Sequence, residues 1–312
     1  MTFVRVLLAF SSQTIFFLWV SLEINILAIL PLMGGDSMFF SSELRLKYFI
    51  SQRIASVLFL IIYFLSTIFF SSSLHFISTL FIIFKLGMPP FHSWLVRITF
   101  IRPLFQLWLI FFVQKFIPLQ FLRNLNLVWM RIIIILILTS YKCFLLIKRL
   151  LRVRSLLLIS AWVNTSWLIF SLIGGNPWLL FLFIYGWILL IIIKFLSFFL
   201  INKTSSIMFL SSVYKIIGTT LFLNLAGLPP FSGFFIKLFI LKSVISENSI
   251  PAALILLFLS LTVLYSYISI FYYFVGSNVV NKIVIAKSLP IRISLNFICI
   301  VLFFPLILNI LN

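Results

Sequence analysis

Acidic residues are almost missing: the 312 residues include only four Asp and Glu, against 23 Lys and Arg, for a formal net charge of +19. That scarcity excludes a cation site rich in carboxylates. Histidine is equally sparse. His75 and His92 stand 17 residues apart on one segment with no carboxylate or cysteine beside them, which is no metal-binding arrangement. The two cysteines, Cys143 and Cys299, lie far apart and belong to no metal-ligand or redox spacing, so both read as apolar packing residues. Ser/His/Asp constellations, phosphate loops and haem or iron-sulfur spacings are also absent, so the chain carries no electrons and needs no cofactor of its own. Charge of either sign occupies 9% of positions, far below the roughly 25% of soluble domains. No soluble domain is left over.

What is present is hydrocarbon. Hydrophobic residues make up 64% of the chain and the mean hydropathy is +1.31. A helix needs about 20 residues to cross the ~30 Å apolar core of a bilayer. With polar gaps this short, the chain is expected to be an all-α polytopic membrane protein with about ten transmembrane helices. Forty Phe, with abundant Leu, Ile and Ser, is what a thymine-rich genome encodes and points to an organellar gene.

Apolar runs between polar punctuation place spans near 13–33, 50–70, 75–95, 103–122, 125–141, 156–173, 178–200, 216–244, 251–275 and 293–311. Residues 1–12 are expected to form a truncated or half-inserted helix. Met1 to Phe10 would cover only about 15 Å, and no small-residue cleavage site follows.

Basic residues sort by loop. After the odd-numbered spans come Arg45, Lys47, Arg53; Arg97, Arg102; Lys142, Lys148, Arg149, Arg152, Arg154; Lys203, Lys215; and Lys282, Lys287, Arg292. These fifteen face only Arg5, Arg123, Arg131 and Lys242 on the other side, a separation the positive-inside rule expects of ten crossings. Both chain ends then lie away from the positive compartment. Orientation and contact with anionic lipid headgroups account for the net charge without a nucleic-acid partner.

Five charges fall inside spans: Glu23, Lys85, Lys115, Lys194 and Lys237. Each costs about 2.5 to 3.5 kcal/mol at a helix centre, so intramembrane ionisable residues mark an ion or proton path unless they pair structurally. Lys194 is near the basic end of its span and can snorkel to the headgroups. The others have no such exit, although Lys115, with Pro118 nearby, depends on where its span begins.

Two spans carry helix breakers beside a lysine. One reads Lys85-Leu86-Gly87-Met88-Pro89-Pro90-Phe91-His92; the other reads Gly227-Leu228-Pro229-Pro230 and reaches Lys237 seven residues later. Lysine precedes the break in one and follows it in the other, as two repeats of opposite topology would give. Proline removes an amide donor, and the carbonyls freed in each break must be satisfied by protein or by a water-filled cavity. His92 is a candidate polar group in such a water path.

Further stretches carry a resemblance: Trp19-Val20-Ser21-Leu22-Glu23-Ile24-Asn25 with Pro31, Ser42-Glu43 with Lys47-Tyr48-Phe49 and Gln52 to Ser56, Gln114-Lys115 with Pro118, and Leu225 to Phe234 with Lys237. With the first break and Trp94 they occur in one order over roughly residues 13 to 245. The chain resembles the mitochondrially encoded subunit 2 family of respiratory NADH:ubiquinone oxidoreductase (complex I), whose members are antiporter-like membrane subunits. The resemblance implies two inverted five-helix repeats, about 13–145 and 156–275, each with one broken helix, followed by a C-terminal helix at 293–311. It implies that Glu23, Lys85, Lys115 and Lys237 form a proton relay, with helix breaks at Gly87, Pro89, Pro90, Gly227, Pro229 and Pro230. It further implies other membrane-arm subunits as partners, a mitochondrial inner-membrane location with basic loops on the matrix side, and FMN, iron-sulfur clusters and ubiquinone in other subunits. The chain departs from the family pattern in its shortened first helix, in Arg97, Arg154-Ser155 and Ile236, and in the basic stretch Lys142 to Arg154. Two rival readings are a free-standing cation/proton antiporter of the same fold and a structural membrane subunit that does not pump.

Overall fold

The fold is described from a computed structural model, in which residues 14–33, 38–70, 72–125, 129–147, 152–173, 178–210, 212–229, 231–246 and 249–275 are described. The expected stub at 1–12, the C-terminal helix at 293–311, Pro230 and Cys299 lie outside them. The described residues are helical, with no strand among them beyond one isolated bridge, Arg152 to Lys203. Among the described residues, six helical segments are long and apolar enough to cross a membrane: Ile15–Leu32, Arg45–Phe69, Leu104–Asn124, Val153–Leu172, Trp178–Phe198 and Ile250–Ile268. Backbone polar groups have no water to bond in hydrocarbon, so helices satisfy them internally.

The chain divides into two compact units, residues 1–139 and 140–312. In the first, α1 (Ile15–Leu32) packs against α2 (Met38–Phe69) and α6 (Phe116–Asn124). Next come α3 (Ser72–Leu86), α4 (Ser93–Ile101) and α5 (Leu104–Phe111); α3 lies against α2 and α6, and α2 against α4. Phe59 of α2 meets Phe121 of α6 edge to face, ring centroids 5.0 Å apart. The Trp19 indole of α1 donates to the Ser56 carbonyl of α2 at 3.1 Å, which fixes their relative height.

After α7 (Trp129–Ile147), the second unit is built on the buried helix α8 (Val153–Ile173), with α9 (Trp178–Phe198), α11 (Ser232–Ser246) and α12 (Ile250–Val275) packed on it. Helix α10 (Ser212–Ala226) completes it, lying against α9, α11 and α12. Serines and threonines of α8 remain inside because their hydroxyls bond their own helix: Ser160 to Leu157 O at 2.9 Å, Thr165 to Trp162 O at 2.6 Å, and Ser171 to Leu168 O at 2.7 Å.

Helix bounds follow the sequence reading closely at α1, α8, α9 and α12. At α2 they do not. Arg45, Lys47 and Arg53, read as loop residues, lie within one 32-residue helix, where Lys47 pairs with Glu43 one turn back.

Candidate functional site

Both predicted breaks are present and both begin at glycine. Gly87 has φ +69° and Gly227 φ +78°, the left-handed conformation that glycine adopts without steric cost. At the first, the Gly87 amide bonds Phe84 O at 3.0 Å and the Met88 amide reaches Ile83 O at 3.4 Å. At the second, Gly227 bonds Asn224 O at 3.0 Å and Leu228 bonds Leu223 O at 3.3 Å. Each is a Schellman closure that satisfies the last carbonyls of its helix. The prolines follow the closure and prevent the helix from resuming at once.

Side chains from beyond each break return to it. Trp94 of α4 donates its indole N–H to Phe84 O at 3.1 Å, and its ring lies 5.8 Å from that of Tyr48. Lys237 of α11 reaches back so that Nζ donates to Ala226 O at 2.7 Å. Its ammonium also stands 5.9 Å from the Trp167 ring of α8, close enough for cation–π attraction. Asn224 adds a second link: its Oδ1 accepts the Gly233 amide at 3.0 Å and the Ser232 hydroxyl at 3.2 Å, capping α11 from the preceding helix.

Lys115 does not sit mid-helix. The segment 104–124 is interrupted by a 3-10 turn, Val113–Lys115, and Lys115 ends that turn. A 3-10 stretch within a helix often marks a hinge. Gln114 in the same turn donates to the Tyr48 hydroxyl. All three lysines are buried, with relative exposures of 7% for Lys85, 4% for Lys115 and 6% for Lys237; Lys85 and Lys115 stand at interruptions of their helices, and Lys237 reaches back to one from within α11.

Glu23, 7% exposed, lies on α1 within electrostatic range of Lys85. Its ion pair is with another residue: Arg53 Nη1 is 2.6 Å from Glu23 Oε2. Lys85 Nζ is buried without a hydrogen-bond partner among the described residues. Lys194 is exposed on α9. His92 is half-buried, its Nδ1 2.9 Å from Pro90 O. Cys143 is buried, and no group of three or more His, Cys, Asp or Glu that could hold a metal occurs among the described residues.

A protein from Didelphis virginiana named NADH-ubiquinone oxidoreductase chain 2 is 32% identical over 280 residues, covering 81% of this chain and 78% of its own. The chain belongs to the NADH-ubiquinone oxidoreductase chain 2 family. No family model matches it. The fold of this chain 2 family member is shared with a chain of respiratory complex I from Thermus thermophilus, solved with bound aureothin: TM-score 0.77 at 16% identity, over 99% of this chain and 78% of that one. It is shared too with a chain of the Mrp complex from a Dietzia species: TM-score 0.69 at 16% identity, over 87% and 58%.

Sequence alone does not show two partners of the site and one buried cation in this chain 2 member. Arg53 sorts with the loop charges because basic residues flanking a span look alike in sequence. Asn224 gave no signal, since a lone amide in an apolar run is also compatible with helix packing. Arg102 was read as an orientation charge but is 2% exposed and donates to the Met33 carbonyl at the end of α1. A cation there complements the helix dipole.

Proposed function

We propose that this chain is a core membrane-arm subunit of NADH:ubiquinone oxidoreductase, contributing to proton translocation coupled to NADH oxidation and quinone reduction. One observation carries the reading: Lys85, Lys115 and Lys237 are all buried, the first two at helix interruptions and the third with its amine on the carbonyl at one. At Lys237 the interruption supplies a backbone carbonyl in place of a counter-charge to a residue that would otherwise be costly to bury. Glu23 biases Lys85, which passes a proton through polar groups to Lys115 and on to Lys237, with His92 a further polar group beside the first break. A carboxylate drawing near or away changes an amine's proton affinity by roughly 1.4 to 4 kcal/mol. Moving one charge against 100 mV costs about 2.3 kcal/mol, so the two quantities match in scale.

In this reading the membrane is the mitochondrial inner membrane, with the basic loops in the matrix. The segments 13–145 and 156–275 are the two inverted repeats, other membrane-arm subunits are the partners, and flavin, iron-sulfur clusters and quinone belong to other subunits. A free-standing cation antiporter would need more than one intramembrane carboxylate. The deciding experiment is proton release per NADH oxidised in sealed vesicles of the intact complex with Lys85→Met. A fall in the ratio, or stalled turnover with normal assembly, is expected. An unchanged ratio and rate would make Lys85 structural and favour a non-pumping scaffold.

A further inference from the structure

Glu23 has two cations within reach, and the structure pairs it with Arg53. The two are held at the same level: α1 and α2 are pinned by the Trp19 to Ser56 hydrogen bond, four residues from Glu23 on one helix and three from Arg53 on the other. The guanidinium is also steadied by the Phe49 ring, whose centroid lies 5.2 Å from Arg53 Cζ. Lys85 lies within electrostatic range of both Glu23 and Arg53, yet its amine makes no hydrogen bond among the described residues. An arginine that only marked orientation would extend to the headgroups. This one turns to a carboxylate that is almost fully buried.

We propose that Arg53 is a positioning residue for the relay, competing with Lys85 for the Glu23 carboxylate and so holding Lys85 unpaired. The proposal rests on the proton-relay reading above. With Arg53 bound, Glu23 is engaged and the lysine amine has no carboxylate to lock it in the charged form. When Arg53 lets go, Glu23 is free to pair with Lys85. Arginine suits this task because its guanidinium stays charged and offers several donors in a fixed plane, so the competition turns on geometry and not on its own titration.

Removing the competitor leaves Glu23 to Lys85 alone, and an opposite charge brought within about 4 to 6 Å raises an amine's proton affinity about tenfold or more, which holds the proton on Lys85 when the relay must release it. Arg53→Met in the intact complex is therefore expected to slow coupled NADH:quinone turnover about tenfold per assembled complex. Arg53→Lys should restore most of the rate, and Arg53→Met should have no further effect in a Glu23→Gln background, where nothing is left to compete for. Arg53→Gln replaces Arg53→Met if the latter does not assemble. Parent-like turnover in Arg53→Met, alongside a Lys85→Met complex that stalls, would overturn the proposal and leave the relay reading intact. An unaffected Lys85→Met complex would remove the relay reading and the proposal together. Equal losses from Arg53→Met with and without Glu23 would assign Arg53 to packing, as would failure of both neutral variants to assemble when Glu23→Gln assembles normally.

Discussion

The contact between Gly227 and Lys237 allows a prediction with a worked magnitude. A Cβ added at Gly227 would lie 2.9 Å from Lys237 Nζ, 3.0 Å from Cδ and 3.1 Å from Cε. Gly227→Ala therefore has two costs. The residue keeps φ near +78°, which in an L-residue costs roughly 1 to 2 kcal/mol. The lysine must also withdraw from Ala226 O, losing a hydrogen bond worth about 1.5 to 3 kcal/mol when the donor is charged. Together these are about 2.5 to 5 kcal/mol. The two parts separate in a Lys237→Ala background, where no side chain reaches the carbonyl: Gly227→Ala should there cost only the backbone strain. Thermal loss of the assembled complex, followed on native gels for the four members of this cycle, supplies the coupling. Proton release per NADH should fall in Gly227→Ala with the lysine displaced. A cost for Gly227→Ala that is equal with and without the Lys237 side chain would refute the claim that this glycine exists to admit the lysine.

Gly233→Ala should be harsher than Gly227→Ala, because its Cβ would fall 2.3 Å from the Asn224 carbonyl oxygen, and backbone cannot swing aside as a lysine tip can. The expected outcome is loss of assembled complex on native gels, with normal amounts counting against close approach of α10 and α11. Trp94→Phe keeps an aromatic ring beside Tyr48 but removes the donor to Phe84 O. It should lower stability by about 1 kcal/mol, read as earlier thermal loss of the complex, and leave the proton ratio unchanged.

Several parts of this architecture were legible in sequence because they rest on strong local physics. Long apolar runs must be helices in hydrocarbon, and a Gly-x-Pro-Pro step cannot continue one, so α1, α8, α9, α12 and both breaks were placed from composition and spacing. The buried charges were found by the same logic, since a lysine in an apolar run has few cheap explanations. Other features were not legible because they depend on which helices meet. Arg53 counts as a loop charge until α1 packs on α2 and brings Glu23 to it. Lys115 reads as a mid-span residue because nothing in Gln114-Lys115-Phe116 forces a 3-10 turn; Phe112, with φ −117° and ψ −68°, departs from helix geometry just before it. In sequence the breaks read as the work of the prolines, whereas the closing hydrogen bonds show that the helices end at glycine and the prolines only forbid resumption.

The distribution of counter-charges bears on how such a site can release a proton. With one carboxylate among the intramembrane charges, the lysines cannot all be held as ion pairs. Glu23 is engaged by Arg53, and Lys237 is held instead by a carbonyl at 2.7 Å and an aromatic face. The distinction is physical. A buried ion pair collapses energetically when one partner is neutralised, because an unpaired charge remains behind. A carbonyl at a helix end accepts a hydrogen bond from a neutral amine as it does from an ammonium, so the contact survives loss of the proton and the side chain need not move. The break at Gly227 thus provides Lys237 with a partner that leaves its position unchanged between protonation states. At Lys85 the carbonyls of Ile83 and Phe84 accept backbone amides, and Phe84 O also accepts the Trp94 indole, while the lysine amine has no hydrogen-bond partner among the described residues. That lysine instead depends on a carboxylate that a second cation can occupy. The two breaks share their backbone closure but give their lysines different electrostatic control: one is set by a fixed dipole and the other by competition for a single charge.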